Sequence, residues 1–139
     1  MLRDYEAVLK AAADPNRARI LKMLEGGELC VCQIVAALGL SQPTISKHLA
    51  LLHAAGLVEE RKAGRWVYFR LSEAPINEYA KILLPQIRGW LKKDPTIRCD
   101  AETVVKIRKL SAEELCALGG LPSCVDKPTA AAKGGAGRG

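Results

Sequence analysis

The sequence predicts a mainly α-helical protein with a small β-hairpin: a winged helix-turn-helix with an added C-terminal helical segment. Three observations carry that reading. Two stretches of helical apolar spacing are separated only by Leu38-Gly39-Leu40-Ser41, which leaves room for a tight turn and nothing more. Directly after the second of them, "GLVEERKAGRWVYFRL" offers two runs of strand composition around a turn. The whole chain has 139 residues, enough for one domain with a modest core.

Taken in order, residues 4–13 read as a short helix. "DPNRARILKMLEGG" follows, with Asp14 as N-cap, Pro15 as first helical residue and Gly26-Gly27 as the stop. Residues 28–38 are expected to be helical and closed by Gly39. "SQPTISKHLALLHAAG" has Ser41 as N-cap, Ile45, Leu49 and Leu52 at helical spacing, and Gly56 as its end. Val58 to Lys62 and Trp66 to Leu71 then form the hairpin, with Ala63-Gly64 as the tight turn. Residues 75–93 are expected to form one longer helix kinked at Pro85, and the stretch after Asp94-Pro95 two short helices split near Ser111. The expected organisation is a DNA-binding and dimerisation domain over residues 1–95, a helical extension over 96–125, and a small, polar, glycine-rich tail over 126–139 expected to be disordered.

Charge and composition narrow the classes. The formal net charge is +6, and between Ser41 and Arg70 the basic residues Lys47, Arg61, Lys62, Arg65 and Arg70 face only Glu59 and Glu60. That distribution favours a nucleic-acid partner. No stretch approaches a membrane span and no secretory signal is evident, so the expected setting is cytoplasmic, without a membrane partner. Five cysteines in that setting read as reduced thiols, metal ligands or core residues rather than a disulfide framework. No Ser/His/Asp set, catalytic carboxylate pair, Gly-rich phosphate loop or zinc-hydrolase motif is present, so an enzyme is not expected. A metal-trafficking or protein-interaction module would not need the basic hairpin tip or a polar recognition face.

The second helix of the pair would present Ser41, Gln42, Thr44, Ser46, Lys47 and His48. Gln can pair with adenine edges, Ser and Thr can bond bases or phosphates, and Lys can neutralise phosphate. Arg61, Lys62 and Arg65 flank the hairpin tip, placed to reach the phosphate backbone beside the groove. Ile76, Tyr79, Leu83, Ile87 and Trp90 make an apolar stripe larger than a monomer needs, which points to a symmetric dimer.

The stretches "ADPNRARIL", "ELCVC" and "LGLSQPTISKHLALLHAAGLVEERKAGRWVYFRL" resemble the ArsR/SmtB family of winged-helix, metal-sensing transcriptional repressors, over roughly residues 5–93. The resemblance implies a homodimer, formed by the first helix and the helix of residues 76–93. It would bind a palindromic double-stranded operator and release it when a metal or metalloid binds. "ELCVC" resembles the arsenic-responsive members, but the third cysteine of their motif is Val35 here. Cadmium- and lead-responsive members add cysteines in an N-terminal extension, and none precedes Cys30. Zinc-responsive members use His on the last dimer helix, and residues 75–93 contain none.

Cys30 and Cys32 are therefore the expected metal ligands, with Cys99, Cys116 or Cys124 as candidate completions. Cys116 reads as a core residue on an apolar helical face; Cys99 and Cys124 sit in loop-like contexts. Two thiolates favour soft ions such as As(III), Sb(III), Cd(II) or Pb(II). On a regular helix, residues two apart point about 200° from each other, so shared binding requires the first turn to unwind. The expected effector is As(III), then Sb(III), or another thiophilic ion; no organic cofactor is implied. The alternatives are Cd or Pb sensing, thiol oxidation through the cysteines, and two core-filling thiols with no sensing role.

Overall fold

The computed structural model describes residues 1–111 and 113–115. Helices α1 (Leu2–Ala13) and α2 (Pro15–Met23) are followed by a 3₁₀ turn (Leu24–Gly26), a short strand β1 (Leu29–Cys30), and helices α3 (Val31–Leu38) and α4 (Gln42–Ala54). The hairpin of β2 (Val58–Ala63) and β3 (Trp66–Leu71) comes next, then α5 (Glu78–Gly89) and α6 (Pro95–Ile107). The three strands form one antiparallel sheet in the order β1-β3-β2.

Local chemistry sets the element ends. The Asp14 carboxylate accepts from the Arg17 N–H at 3.1 Å, and Pro15 needs no partner for its nitrogen at the first turn. Ser41 caps α4 by accepting from the Thr44 N–H. Between α3 and α4, Gly39 takes φ +71°, a left-handed conformation that lets its N–H close on the Val35 carbonyl at 2.9 Å. The fully buried residues Ile34, Leu38, Ile45, Leu49 and Leu52 lock α3 and α4 onto one core, which α1 and α2 complete with Val8, Ile20 and Leu21.

Four expectations are corrected. The helix expected over residues 28–38 begins at Val31, because Leu29 and Cys30 are extended and pair with Phe69 and Tyr68 of β3. The hairpin turns at Gly64-Arg65, one residue later than expected, because Ala63 still pairs with Trp66; Gly64 supplies the positive φ of +62°. The helix expected over 75–93 is shorter: Asn77 caps its start, and it ends at Gly89 with Pro85 inside it. Cys99 is not in a loop but inside α6.

α6 packs on α2 and α3 and shares their core through Val104 and Ile107. It is held there by a buried ion pair: Arg19 Nε donates to Asp100 Oδ2 at 2.8 Å and Nη2 to Oδ1 at 2.9 Å. Two parallel charge-assisted bonds in a dry site fix orientation as well as distance. Further along, the Arg108 guanidinium donates to the carbonyls of Glu28 (2.9 Å) and Gly27 (3.1 Å), just ahead of β1. The expectations for Cys116, Cys124 and the tail of residues 126–139 lie outside the described residues.

Candidate DNA interface and effector site

The candidate recognition surface is built on α4. Its buried residues are Ile45, Leu49 and Leu52, so the opposite face presents Ser41, Gln42, Thr44, Ser46 and Lys47, all exposed. Ser41 Oγ and Thr44 Oγ1 lie 2.9 Å apart, so these two hydroxyls hold each other as part of the cap. His48 differs from the expectation of a DNA-facing ring. It is half-buried, and its Nδ1 lies 3.1 Å from Arg17 Nη1. Because a guanidinium only donates, that nitrogen accepts and the ring is neutral, protonated on Nε2. Burial is the first cause that lowers the His48 pKa; the Asp14 carboxylate works against it, and the Arg17 and Lys47 charges add to it. Arg17 also donates to the Ala11 carbonyl at 2.9 Å, so one side chain ties the end of α1 to the recognition helix.

The hairpin tip carries the remaining cations with unequal freedom. Lys62 and Arg65 are exposed. The Arg65 guanidinium lies over the Trp66 ring at 4.8 Å and is paired to Glu113 only at 3.9 Å. Arg61 is engaged: it grips Glu28 through two bonds of 2.9 and 2.7 Å and lies 4.6 Å over the Tyr68 ring. That hydrogen bonding holds the Glu28 carboxyl below its usual range and raises Arg61. Glu28 was not foreseen as part of the site. Its role follows from β1, which a two-residue strand does not announce in sequence.

The thiols sit where the wing meets the helix-turn-helix. Cys30 is the N-cap of α3 in extended geometry (φ −83°, ψ 161°), and its N–H donates to Gln33 Oε1 at 2.8 Å. Cys30 is buried, Cys32 is half-buried in the first turn of α3, and both are free of disulfides. The requirement that a regular helical turn unwind at Cys30 is therefore removed, since this residue already lies outside the helix. A cleft of about 420 Å³ opens beside the pair. It is lined by Leu49, Ala50, Trp66 and Phe69 among apolar residues, and by Gln42 and Arg65 among polar ones.

Of the candidate third ligands only Cys99 lies among the described residues. Cys99 is disulfide-bonded and offers no thiolate, and Val35, where the arsenic-type motif would place sulfur, is half-buried against the core. Among the described residues no group of three or more His, Cys, Asp or Glu converges as a metal site would require. No helix among them is long and apolar enough to cross a membrane.

Of the expected dimer residues, Ile76 is 100% and Trp90 52% exposed, whereas Ile87 is only 8% exposed and belongs to the chain's own core. Tyr79 and Leu83 are half-buried. Tyr79 meets Tyr5 of α1 edge to face, with ring centroids 5.8 Å apart. Leu2, Leu9 and Ile82 are exposed apolar residues on the same two helices that sequence reading missed.

Residues 14–60, from α2 into the wing, match the family described as "Bacterial regulatory protein, arsR family". The chain is 42% identical over 112 residues to the arsenical resistance operon repressor of Escherichia coli, covering 78% of this chain and 86% of that protein. It is 45% identical over 91 residues to the arsenic resistance transcriptional regulator ArsR1 of Pseudomonas putida, covering 63% and 71%. Among solved structures, reduced HlyU from Vibrio cholerae superposes with a TM-score of 0.55 at 33% identity, over 66% of this chain and 92% of that one. HlyU from Vibrio vulnificus gives 0.51 at 37% identity, over 63% and 86%. The chain belongs to the arsR family, and is a DNA-binding transcriptional regulator rather than an enzyme.

Proposed function

We propose that this protein is a homodimeric repressor that leaves its operator when a thiophilic metalloid, As(III) first and Sb(III) by the same chemistry, bonds to Cys30 and Cys32. The observation that carries the reading is the position of Cys30. It belongs at once to the strand that pairs with the wing and to the cap of the first helix of the helix-turn-helix. Drawing the Cys30 and Cys32 sulfurs onto one centre pulls on the Cys30–Tyr68 pairing and on the start of α3 together. The angle between wing and recognition helix then changes, and phosphate contacts and base contacts can no longer be made at the same time. The donor set suits the ion, because soft thiolates select soft centres. The names of the most similar curated relatives support arsenic as the signal. Oxidative pairing of Cys30 or Cys32 with Cys99 has less support, since Cys99 is already bonded.

The operator contacts assigned to this function are Gln42, Thr44, Ser46 and Lys47 on α4, with Lys62 and Arg65 on the wing. The exposed apolar residues Leu2 and Leu9 of α1 and Ile82 of α5, with Ile76 and Trp90 flanking α5, supply the dimer face that sets two recognition helices about one DNA turn apart. A monomeric mass by light scattering at micromolar concentration contradicts the dimer. The function itself is tested by titrating the protein–DNA complex with As(III), Sb(III), Cd(II), Pb(II), Zn(II) and peroxide. Release by the metalloids alone is expected; release by peroxide alone overturns the reading.

A further inference from the structure

Glu28 stands just ahead of β1, and its backbone is held from two sides. Its carbonyl accepts from Arg108 at 2.9 Å, and the next residue, Leu29, pairs with Phe69 of the wing. From that anchored position the carboxylate meets Arg61 of β2 as a fork: Nε donates to Oε2 at 2.9 Å and Nη2 to Oε1 at 2.7 Å. A DNA phosphate offers two oxygens to an arginine in the same way. The Tyr68 ring lies 4.6 Å from the guanidinium carbon, so one edge and one face of the group are taken. Arg65, on the same hairpin, is held differently. Its carboxylate neighbour Glu113 lies 3.9 Å away, beyond hydrogen-bond reach, and both side chains are largely exposed.

We infer that Glu28 occupies on Arg61 the place a DNA phosphate would take, withholding this cation from the operator and setting DNA affinity below what the wing's charges allow. The inference rests on the reading of the wing as a phosphate-contacting surface. Glu28 belongs to the same chain and is already ordered by Arg108 and β1, so pairing with it costs little of the freedom that docking on DNA costs. The pair is partly exposed and its strength is modest. A single phosphate contact, one of several that share the work of binding, is of the same modest order. Glu28 thereby limits binding to every sequence alike, and leaves Lys62 and Arg65 as the wing's available cations.

The test follows operator binding by the full-length protein between about 50 and 200 mM salt. Glu28→Gln keeps the size of the side chain and removes its charge. It should bind more tightly than the unaltered protein and steepen the salt slope by about one. Its advantage should shrink about three- to fourfold across that salt range, as one released counterion requires. Adding Arg61→Gln to Glu28→Gln should abolish the advantage. Glu113→Gln adds the same unit of charge beside Arg65 and should move the slope by much less. Weaker binding by Glu28→Gln overturns the inference and makes Glu28 a support that the wing needs. Equal steepening by Glu113→Gln, or an advantage that survives Arg61→Gln, overturns it in favour of net charge alone. If the variants do not fold, the unaltered protein answers by NMR. The Overhauser contact between Arg61 Nε–H and the Glu28 side chain should persist when operator is added, and its loss hands Arg61 to the DNA and overturns the inference. Lys62→Gln without any loss of slope overturns instead the wing reading on which the inference stands.

Discussion

The recognition helix and the thiol junction lie within a dozen residues of each other and are built on opposite plans. α4 is a thirteen-residue helix with a hydroxyl cap at its start and a buried stripe that holds its polar face outward. The junction is a two-residue strand running directly into an eight-residue helix, and its two sulfurs belong to different elements. A surface that must match DNA has to be preformed, because every side chain ordered on binding costs affinity. A surface that must respond to a small ligand has to be cheap to deform, and a two-residue strand holds little to break. On the proposed function, the reading helix is preformed and the sensing junction lightly held; one core serves both.

Substitutions that separate the two regions test this contrast. The largest effect is expected from Cys30→Ser and Cys32→Ser: release by As(III) should vanish while operator affinity persists. Because Cys30 is 4% exposed, its serine variant should also lose about 1–3 kcal/mol of stability, with a smaller loss for the half-buried Cys32. Melting therefore does not discriminate sensing from core filling at Cys30, and the release assay does. An unchanged response in both variants refutes the assignment.

Next comes Asp100→Ala, which leaves the Arg19 guanidinium buried and unpaired. It should cost about 3–5 kcal/mol in chemical denaturation, although Asp100 touches neither DNA nor thiols. A loss below about 1 kcal/mol would mean that α6 is not part of the core that both regions share.

Smaller effects are expected on the reading surface. Lys62→Gln or Arg65→Gln should weaken binding to all sequences and reduce the salt slope by about one each. Gln42→Ala should instead change sequence preference by about 1–3 kcal/mol at one base position. If Gln42→Ala acts uniformly across sequences, α4 is not the helix in the groove.

The smallest expected effect is that of pH through His48. Its folded pKa lies below the ordinary value of 6.5, so the unfolded chain takes up the proton first as pH falls. The stability that its neutral ring contributes is complete above about 6.5 and lost as pH drops from there through the folded pKa. His48→Gln should flatten that part of the stability profile. A profile identical to that of the unaltered protein would place the ring in water after all.

What sequence made legible follows the same division. Ser41, Gly39, Gly56 and the spacing of Ile45, Leu49 and Leu52 are strong local signals, and α4 stands where they put it. The wing was readable to within one residue at its turn. β1 was not, because two residues cannot show an alternating pattern, and sequence alone places Cys30 in the helix. Long-range partners were equally silent. Glu28 finds Arg61 across 33 residues and Asp100 finds Arg19 across 81, distances over which helical spacing carries no information. Periodicity alone turns His48 toward DNA, and only the packing of α2 against α4 brings Arg17 to it.

The order in which the chain leaves the ribosome gives the Arg108 clamp another meaning. The helix-turn-helix and wing end at Leu71, so they can assemble while α6 is still being made, since chains fold from the N-terminus as they emerge. Arg108 reaches Gly27 and Glu28 across 81 and 80 residues, contacts that close only after α6 has been made. The segment leading into Cys30 is thus tightened only after the helix-turn-helix and wing have been made. On the function proposed above, the thiol junction would reach its final hold later than the helix that reads DNA.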